Sequence, residues 1–272
     1  MVLKLLSLPT WFLGLITIVP SVAFTVLVAG WLRKRDFQPE DDGAVTALHA
    51  TVSTIYTVLL AFVVVIVWQQ LTDAGARVET EATRLSNILR DAQAFSATDE
   101  ASIRDAVHGY IVAAANREWD RMAEGRGADP VTNTAYEQIW EASYRIEPSG
   151  PKQEIFHAEM ITRLNELGAA RRSRLLGSQA SVPPVMWLLL LAGGVMVLIL
   201  SYLLPHGSWK ASNVALGATG AVISITLFLI FAMDHPYTGD LRVDPSPLVD
   251  LIPRAEQGRV GGVSDAATPS PG

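Results

Sequence analysis

The hydrophobic pattern is most continuous between Leu48 and Phe95. Leu48 to Trp68 carries no Lys, Arg, Asp or Glu, enough apolar chain to cross a bilayer core as a helix. From Gln69 the chain becomes charged, yet an apolar seam continues through Leu71, Ala74, Val78, Leu85, Ile88, Ala92 and Phe95. Stepped back by threes and fours, the same seam passes through Val67, Val64, Leu60 and Thr57. A stripe without a phase break, and no proline inside it, predicts one continuous helix. At 1.5 Å per residue that rod is ~70 Å long, more than twice the hydrocarbon thickness. Gly75 weakens it by ~1 kcal/mol. The seam has one defect, where the step from Val78 lands on Glu81.

The other apolar runs predict three more spans. Trp11 to Leu32 is bounded by interfacial tryptophans and stopped by Arg33, Lys34 and Arg35, which reads as a retained span rather than a cleaved leader. Val185 to Leu204 and Asn213 to Met233 follow Pro183 and Pro184. Ala215, Gly217, Gly220, Ala221 and Ser224 give the last span a small-residue face suited to close helix packing. Between the second and third spans, helical spacing recurs and strand alternation does not. Ile103, Val107, Tyr110 and Ala114 share one face, with Trp119 and Met122 beyond. Ile139, Trp140 and Ser143 mark a shorter helix, and Phe156, Met160, Leu164, Leu167 and Leu175 a longer one running to Pro183. Ser96 or Thr98 caps one start and Thr132 or Asn133 another. The loop 125–130 and the turn 147–151 punctuate them.

The fold class read from this pattern is an all-α integral membrane protein: four transmembrane helices with a helical bundle inserted between spans 2 and 3. The divisions are 1–47 for the first span and linker, 48–68 for the second span, 69–182 for the bundle, 185–233 for the last two spans, and 234–272 for a C-terminal turn and disordered tail.

Composition agrees. Half of the 272 residues are apolar and mean hydropathy is +0.28. Net charge is −6, which gives nucleic acid no attraction. The absence of cysteine removes thiol chemistry and disulfides. No nucleotide loop, nucleophile elbow or zinc-protease helix occurs, so no catalytic residue, metal ligand or cofactor is assigned and the chain reads as a non-enzyme. Carboxylate-x-x-His pairs at Asp105–His108 and Glu154–His157 match half of a di-metal bundle pattern, but two chance matches are the simpler reading. His49 and His206 sit at span ends, where interfacial placement outweighs a proton relay. The spans lack ionisable groups apart from Asp234 at a boundary, against proton-coupled transport.

Two segments carry a family resemblance. VVVIVWQQLTDAGARVETEATRLSNILRDAQ, with its Glu81–Ala82 pair, and the turn Asp234-His235-Pro236-Tyr237-Thr238-Gly239 resemble the bacterial bestrophin-like membrane proteins across roughly residues 45–250. Asp234, Pro236 and Gly239 are the residues of that turn which carry the likeness. The resemblance implies a cell-membrane, multi-pass protein whose bundle and both termini are cytoplasmic, whereas loop charges alone split between the two orientations. True bestrophins are pentameric anion channels with a neck on the second span and an acidic calcium clasp, so it further implies a homo-oligomer in the lipid bilayer and an inorganic ion as partner. Thr57, Leu60, Val64 and Val67 then fall at neck positions. No acidic cluster matches a calcium clasp.

Glu79 and Glu81 lie past the second span about as far as Arg171, Arg172 and Arg174 lie before the third, ~16–20 Å of helix in each case. This charge register reads either as an ion-interacting or subunit-coupling ring, or as an interhelical salt bridge fixing alignment. The leading function is an oligomeric channel with an apolar neck. The alternative is a non-conducting scaffold or sensor that couples membrane and bundle through the long helix.

Overall fold

The computed structural model describes Ala23 and residues 42–204 and 208–260. The predicted first span from Trp11 to Leu32 (Ala23 apart), His206 and the last twelve residues lie outside them. The described residues are helical, without strand. They form α1 (Asp42–Asp91) with a 3-10 turn Ala92–Ala94, α2 (Ala97–Ala113) with a π turn Ala114–Glu118, α3 (Trp119–Ala123), α4 (Pro130–Tyr144), α5 (Pro151–Gly177), α6 (Pro184–Leu203), α7 (Trp209–Met233), α8 (Ser246–Val249) and α9 (Ile252–Val260). Among them α1, α6 and α7 are long and apolar enough to cross a membrane.

The chain divides into two compact units. The first comprises the described residues up to Leu71 and within 181–242, and the second 72–180 with the residues from 243 on. α1 runs unbroken over 50 residues and contributes to each.

In the first unit, Tyr56, Leu60, Val63 and Val67 of α1 are buried against Leu190 and Val197 of α6 and Ile223, Ile230 and Met233 of α7. Gly193 and Gly194 make this close approach possible. A Cβ on Gly193 would lie 2.6 Å from the Tyr56 ring, and one on Gly194 3.0 Å from its hydroxyl. That hydroxyl donates to the Leu190 carbonyl at 3.0 Å. The 234–239 turn belongs here: Asp234 is buried and its Oδ1 accepts the Val182 N–H at 2.6 Å, just ahead of the prolines that open α6. Pro236 is buried, and Gly239 takes φ 79°, which favours glycine.

In the second unit, α2 packs on α4 and α9, and α4 on α5. Ile103, Val107, Tyr110, Ile139, Met160, Leu164 and Leu167 fill its interior, with Val78, Leu85 and Ile88 of α1 fully buried. Ser96 caps α2, accepting the Asp99 N–H. Three local expectations change. The cap of α4 is Asp129, which accepts from the N–H groups of Val131 and Thr132 and is followed by Pro130 at the first helical position, where a missing N–H costs nothing. α5 ends at Gly177, before Pro183. The stretch expected as a turn and disordered tail carries α8 and α9 to Val260, and Leu248, Leu251 and Ala255 are buried there.

Candidate functional site: a buried arginine–glutamate cluster and the open face of α1

Four charged side chains meet in the interior of the second unit. Glu81 comes from α1, Glu118 from the end of the π turn, and Arg171 and Arg174 from one face of α5, three residues apart. The π turn matters because its wider winding re-aims Glu118 inward within an otherwise continuous helical run. Glu81, Glu118 and Arg174 are fully buried and Arg171 is nearly so.

The hydrogen bonding is closed. Arg174 Nε donates to Glu81 Oε2 at 2.6 Å, and its Nη2 reaches Glu81 Oε1 at 3.0 Å and Glu118 Oε2 at 2.8 Å. Its Nη1 lies 3.2 Å from the Met122 sulfur, and the guanidinium stacks 4.7 Å from the Trp119 ring centre. Arg171 grips Glu118 with Nη2 and, at 3.2 Å, with Nε, while Nη2 also donates to Asn133 Oδ1 at 2.7 Å. Glu118 Oε1 accepts the Asp129 N–H at 3.2 Å. Tyr110 donates its hydroxyl to Glu81 Oε1 at 2.5 Å. Two buried carboxylates thus face two buried guanidiniums with every oxygen engaged, the condition under which buried ion pairs persist.

Burial alone would raise the Glu118 pKa. The Arg171 hydrogen bond and the charges of Arg174 and Arg171 overcome it and hold the carboxyl below its usual range. Burial likewise opposes charge on Arg174, but the adjacent Glu81 keeps its pKa well above the ordinary value. Tyr110 is pushed well up by burial, then by Glu81, so it stays a neutral donor. The cluster is buried and closed by its hydrogen bonds, and it ties α1, the π turn and α5 together.

Of the five register residues, the structure therefore gathers Glu81, Arg171 and Arg174, while Glu79 and Arg172 are exposed and stay out. Glu118 is the member that sequence reasoning missed. It lies one step of four beyond Ala114 on the face of Ile103 and Val107, a charge in an apolar seam like Glu81, where the sequence reading passes on to Trp119 and Met122. The carboxylate-x-x-His pairs do not converge. His108 Nε2 lies 3.4 Å from Glu256, and His157 Nε2 lies 3.0 Å from the Ser143 carbonyl. No group of three or more His, Asp and Glu suited to a metal occurs among the described residues. His49 shares its Nε2 with Ser201 Oγ at 2.9 Å and Ser53 Oγ at 3.3 Å.

The four neck positions divide between buried and exposed. Leu60 and Val67 are buried inside the first unit and Val64 packs on the same cluster. Thr57 and Leu60 line a groove of about 600 Å³ against Ala218, Thr219 and Val222 of α7. Leu60 and Val67 thus face their own chain, while Thr57 is exposed and Val64 half-buried. A periodic seam has a phase but no direction, and here Gly193 and Gly194 draw the Tyr56 side of α1 inward. The opposite face is open: Ile55 (65%), Val58 (50%), Phe62 (65%), Val65 (52%) and Ile66 (46%) are the exposed apolar residues there.

Three helices long and apolar enough to cross a membrane, with a helical, ion-paired second unit, define a membrane protein that is helical throughout its described residues. The sequence profile of the Bestrophin-like domain matches residues 14–248, and the chain belongs to the Bestrophin-like family. The fold is also similar to the crystal structure of a bacterial bestrophin homologue from Klebsiella pneumoniae carrying a point mutation: TM-score 0.67 over 92% of this chain and 98% of that one, at 11% identity. Comparison with curated proteins gives no match.

Proposed function

We propose that the protein is an oligomeric ion channel in which copies of α1 surround a central path. In this reading Trp11–Leu32 supplies a fourth span, the second unit and both termini are cytoplasmic, and the partners are lipid, further copies of the chain and an inorganic ion. The observation that carries it is the open face of α1, where Val58, Phe62 and Val65 follow at steps of four and three with at least half of each side chain exposed. Family membership supports the same reading. Large apolar side chains brought together around an axis exclude ions by expelling water, so this stripe acts as the constriction. The buried cluster serves as the alignment lock between α1 and α5, not as an ion site.

The test is conductance of the full chain in planar bilayers, with the mass of the detergent-solubilised protein measured in parallel. An oligomer with discrete currents that increase in Phe62→Ala is the expected result. A monomer, or an oligomer with no current in either form, rejects the channel. The reading then favoured is a non-conducting scaffold, for which the closed ion cluster supplies rigidity.

A further inference from the structure

The groove of about 600 Å³ in the first unit runs along α1 from His49 to Ala61, with Val197 of α6 and the stretch from Ala218 to Thr226 of α7 as its other walls. From position 49 to position 61 is ~18 Å of helix, close to the ~15 Å depth of one leaflet's hydrocarbon. Its bed is apolar in effect. Tyr56 spends its hydroxyl hydrogen on the Leu190 carbonyl at 3.0 Å, Thr219 on that of Ala215 at 3.0 Å and Thr226 on that of Val222 at 2.9 Å. Thr57, Ala61, Ala218 and Val222 are exposed along it. The end at His49 is different. His49 stands at the start of the charge-free run, and its Nε2 is held by Ser201 Oγ at 2.9 Å and Ser53 Oγ at 3.3 Å. Nδ1 makes no hydrogen bond among the described residues, which leaves the ring a second polar atom to offer. No Lys, Arg, Asp or Glu lines the groove among the described residues.

We propose that this groove binds one long-chain fatty acid, its carboxyl group at His49 and its chain laid toward Ala61. The polar end stands at the membrane boundary, where a headgroup belongs, and the apolar bed reaches about to the midplane. A carboxyl and an imidazole that share one proton are neutral as a pair on whichever group it sits, so the acid enters without burying net charge. A phosphodiester stays ionised and meets no lysine or arginine here, and a phospholipid's second chain has no bed of its own. The open face of α1 at Val58 and Phe62 lies on the other side of the helix, so copies packed through it leave the groove to the bilayer. Such binding requires neither conduction nor a particular copy number.

The experiment is photo-cross-linking of the full chain in phosphatidylcholine nanodiscs by palmitate with a mid-chain diazirine, read by peptide mass spectrometry. Cross-links should concentrate on 53–61 and 218–226, yield to excess palmitate and resist methyl palmitate, which lacks the acid. His49→Ala should weaken displacement by palmitate on the order of tenfold, the loss of one hydrogen bond to a charged group. Ala218→Phe, which fills the bed and leaves His49 in place, should abolish the concentrated labelling, with unchanged elution volume in both variants. Labelling spread equally over the exposed Leu188 and Val195 of α6, displacement by methyl palmitate, or no change in either variant overturns the site. Equal labelling by a phosphatidylcholine with the same diazirine overturns the fatty acid in favour of a phospholipid chain. The chain has no cysteine, so a disulfide from Ala61→Cys to a cysteine placed within 11–32, or to the same position of a second copy, identifies a protein cover and overturns lipid binding.

Discussion

Arg174 and Glu81, 93 residues apart in the chain, are joined by two hydrogen bonds in the interior of the second unit, the shorter 2.6 Å from Nε to Oε2. Neither side chain is exposed at all. Arg174 also donates to Glu118, so it is the shared cation of two carboxylates, and its removal would leave Glu81 without a cation and Glu118 with Arg171 alone.

That asymmetry ranks the variants. Arg174→Ala should cost on the order of 3–5 kcal/mol, the range for breaking a buried pair and leaving charge uncompensated. Glu81→Gln should cost less, because Arg174 keeps Glu118 and the amide can still accept from Tyr110. Thermal unfolding of the detergent-solubilised chain reads the order. A smaller loss in Arg174→Ala than in Glu81→Gln would contradict the shared-cation account.

Two carboxyls should give opposite pH responses. Glu118 has a folded pKa below its usual 4.5. Its contribution is therefore complete above that value and lost as pH falls through the folded pKa, and Glu118→Gln should flatten acid sensitivity in that window. Asp91 is raised above 3.8, chiefly by burial, and its Oδ2 has no hydrogen-bond partner. Its contribution is complete below 3.8 and lost as pH rises through the folded pKa, so Asp91→Asn should raise the melting temperature at neutral pH relative to the native chain. Melting temperature against pH for the two variants checks both signs.

Much of this fold is legible in the sequence, for identifiable reasons. The long helix reads well because nothing between Leu48 and Asp91 breaks a helix, and the buried faces around Val107 and Leu164 read from spacing alone. Glu81 stands out as a charge in an apolar seam. What does not read is direction and exception. The Leu60–Val67 seam has the right period but turns toward its own chain, a choice made by two glycines over a hundred residues away. Glu118 is passed over although it continues the Ile103–Ala114 face by four, because a charge there breaks the apolar pattern, and the Asp129 cap is hidden by the proline after it. Trp140, expected inward, is half-buried and stacks on Tyr144 at 5.5 Å between ring centres.

The glycine contact in the first unit should tolerate no side chain. A Cβ at Gly193 would sit 2.6 and 2.8 Å from two atoms of the Tyr56 ring. The ring is held by its hydroxyl on Leu190 and cannot swing away freely. Gly193→Ala is expected to destabilise by about 1–3 kcal/mol, the usual cost of overpacking, and the second change Tyr56→Leu should recover part of it. Failure of that partial rescue in a thermal assay would place the damage elsewhere.

Within α1, a methyl group added at Gly75 would meet no atom within 4 Å, so Gly75→Ala should stabilise by roughly 0.5–1 kcal/mol through propensity alone. The neighbouring Ala76→Pro should do the reverse, costing ~3 kcal/mol or more by deleting a helix hydrogen bond and clashing with the preceding turn. Circular dichroism with thermal melts on both variants distinguishes a continuous helix from one already broken there.

The indole of Trp119 donates its N–H to the carbonyl of Val243 at 3.0 Å, although residues 181–242 between them belong to the first unit. On the ribosome this imposes a schedule. The stretch 72–180 emerges first but must wait, at about 5–20 residues per second, roughly 3–12 seconds while the intervening residues are made. During that interval the surfaces later covered by Leu248 and Leu251 are open to chaperones or to a neighbouring nascent chain. A stop codon shortly after Arg242 would therefore leave the second unit unfinished, and such truncations should be cleared by proteolysis even though every apolar helix of the chain has been translated.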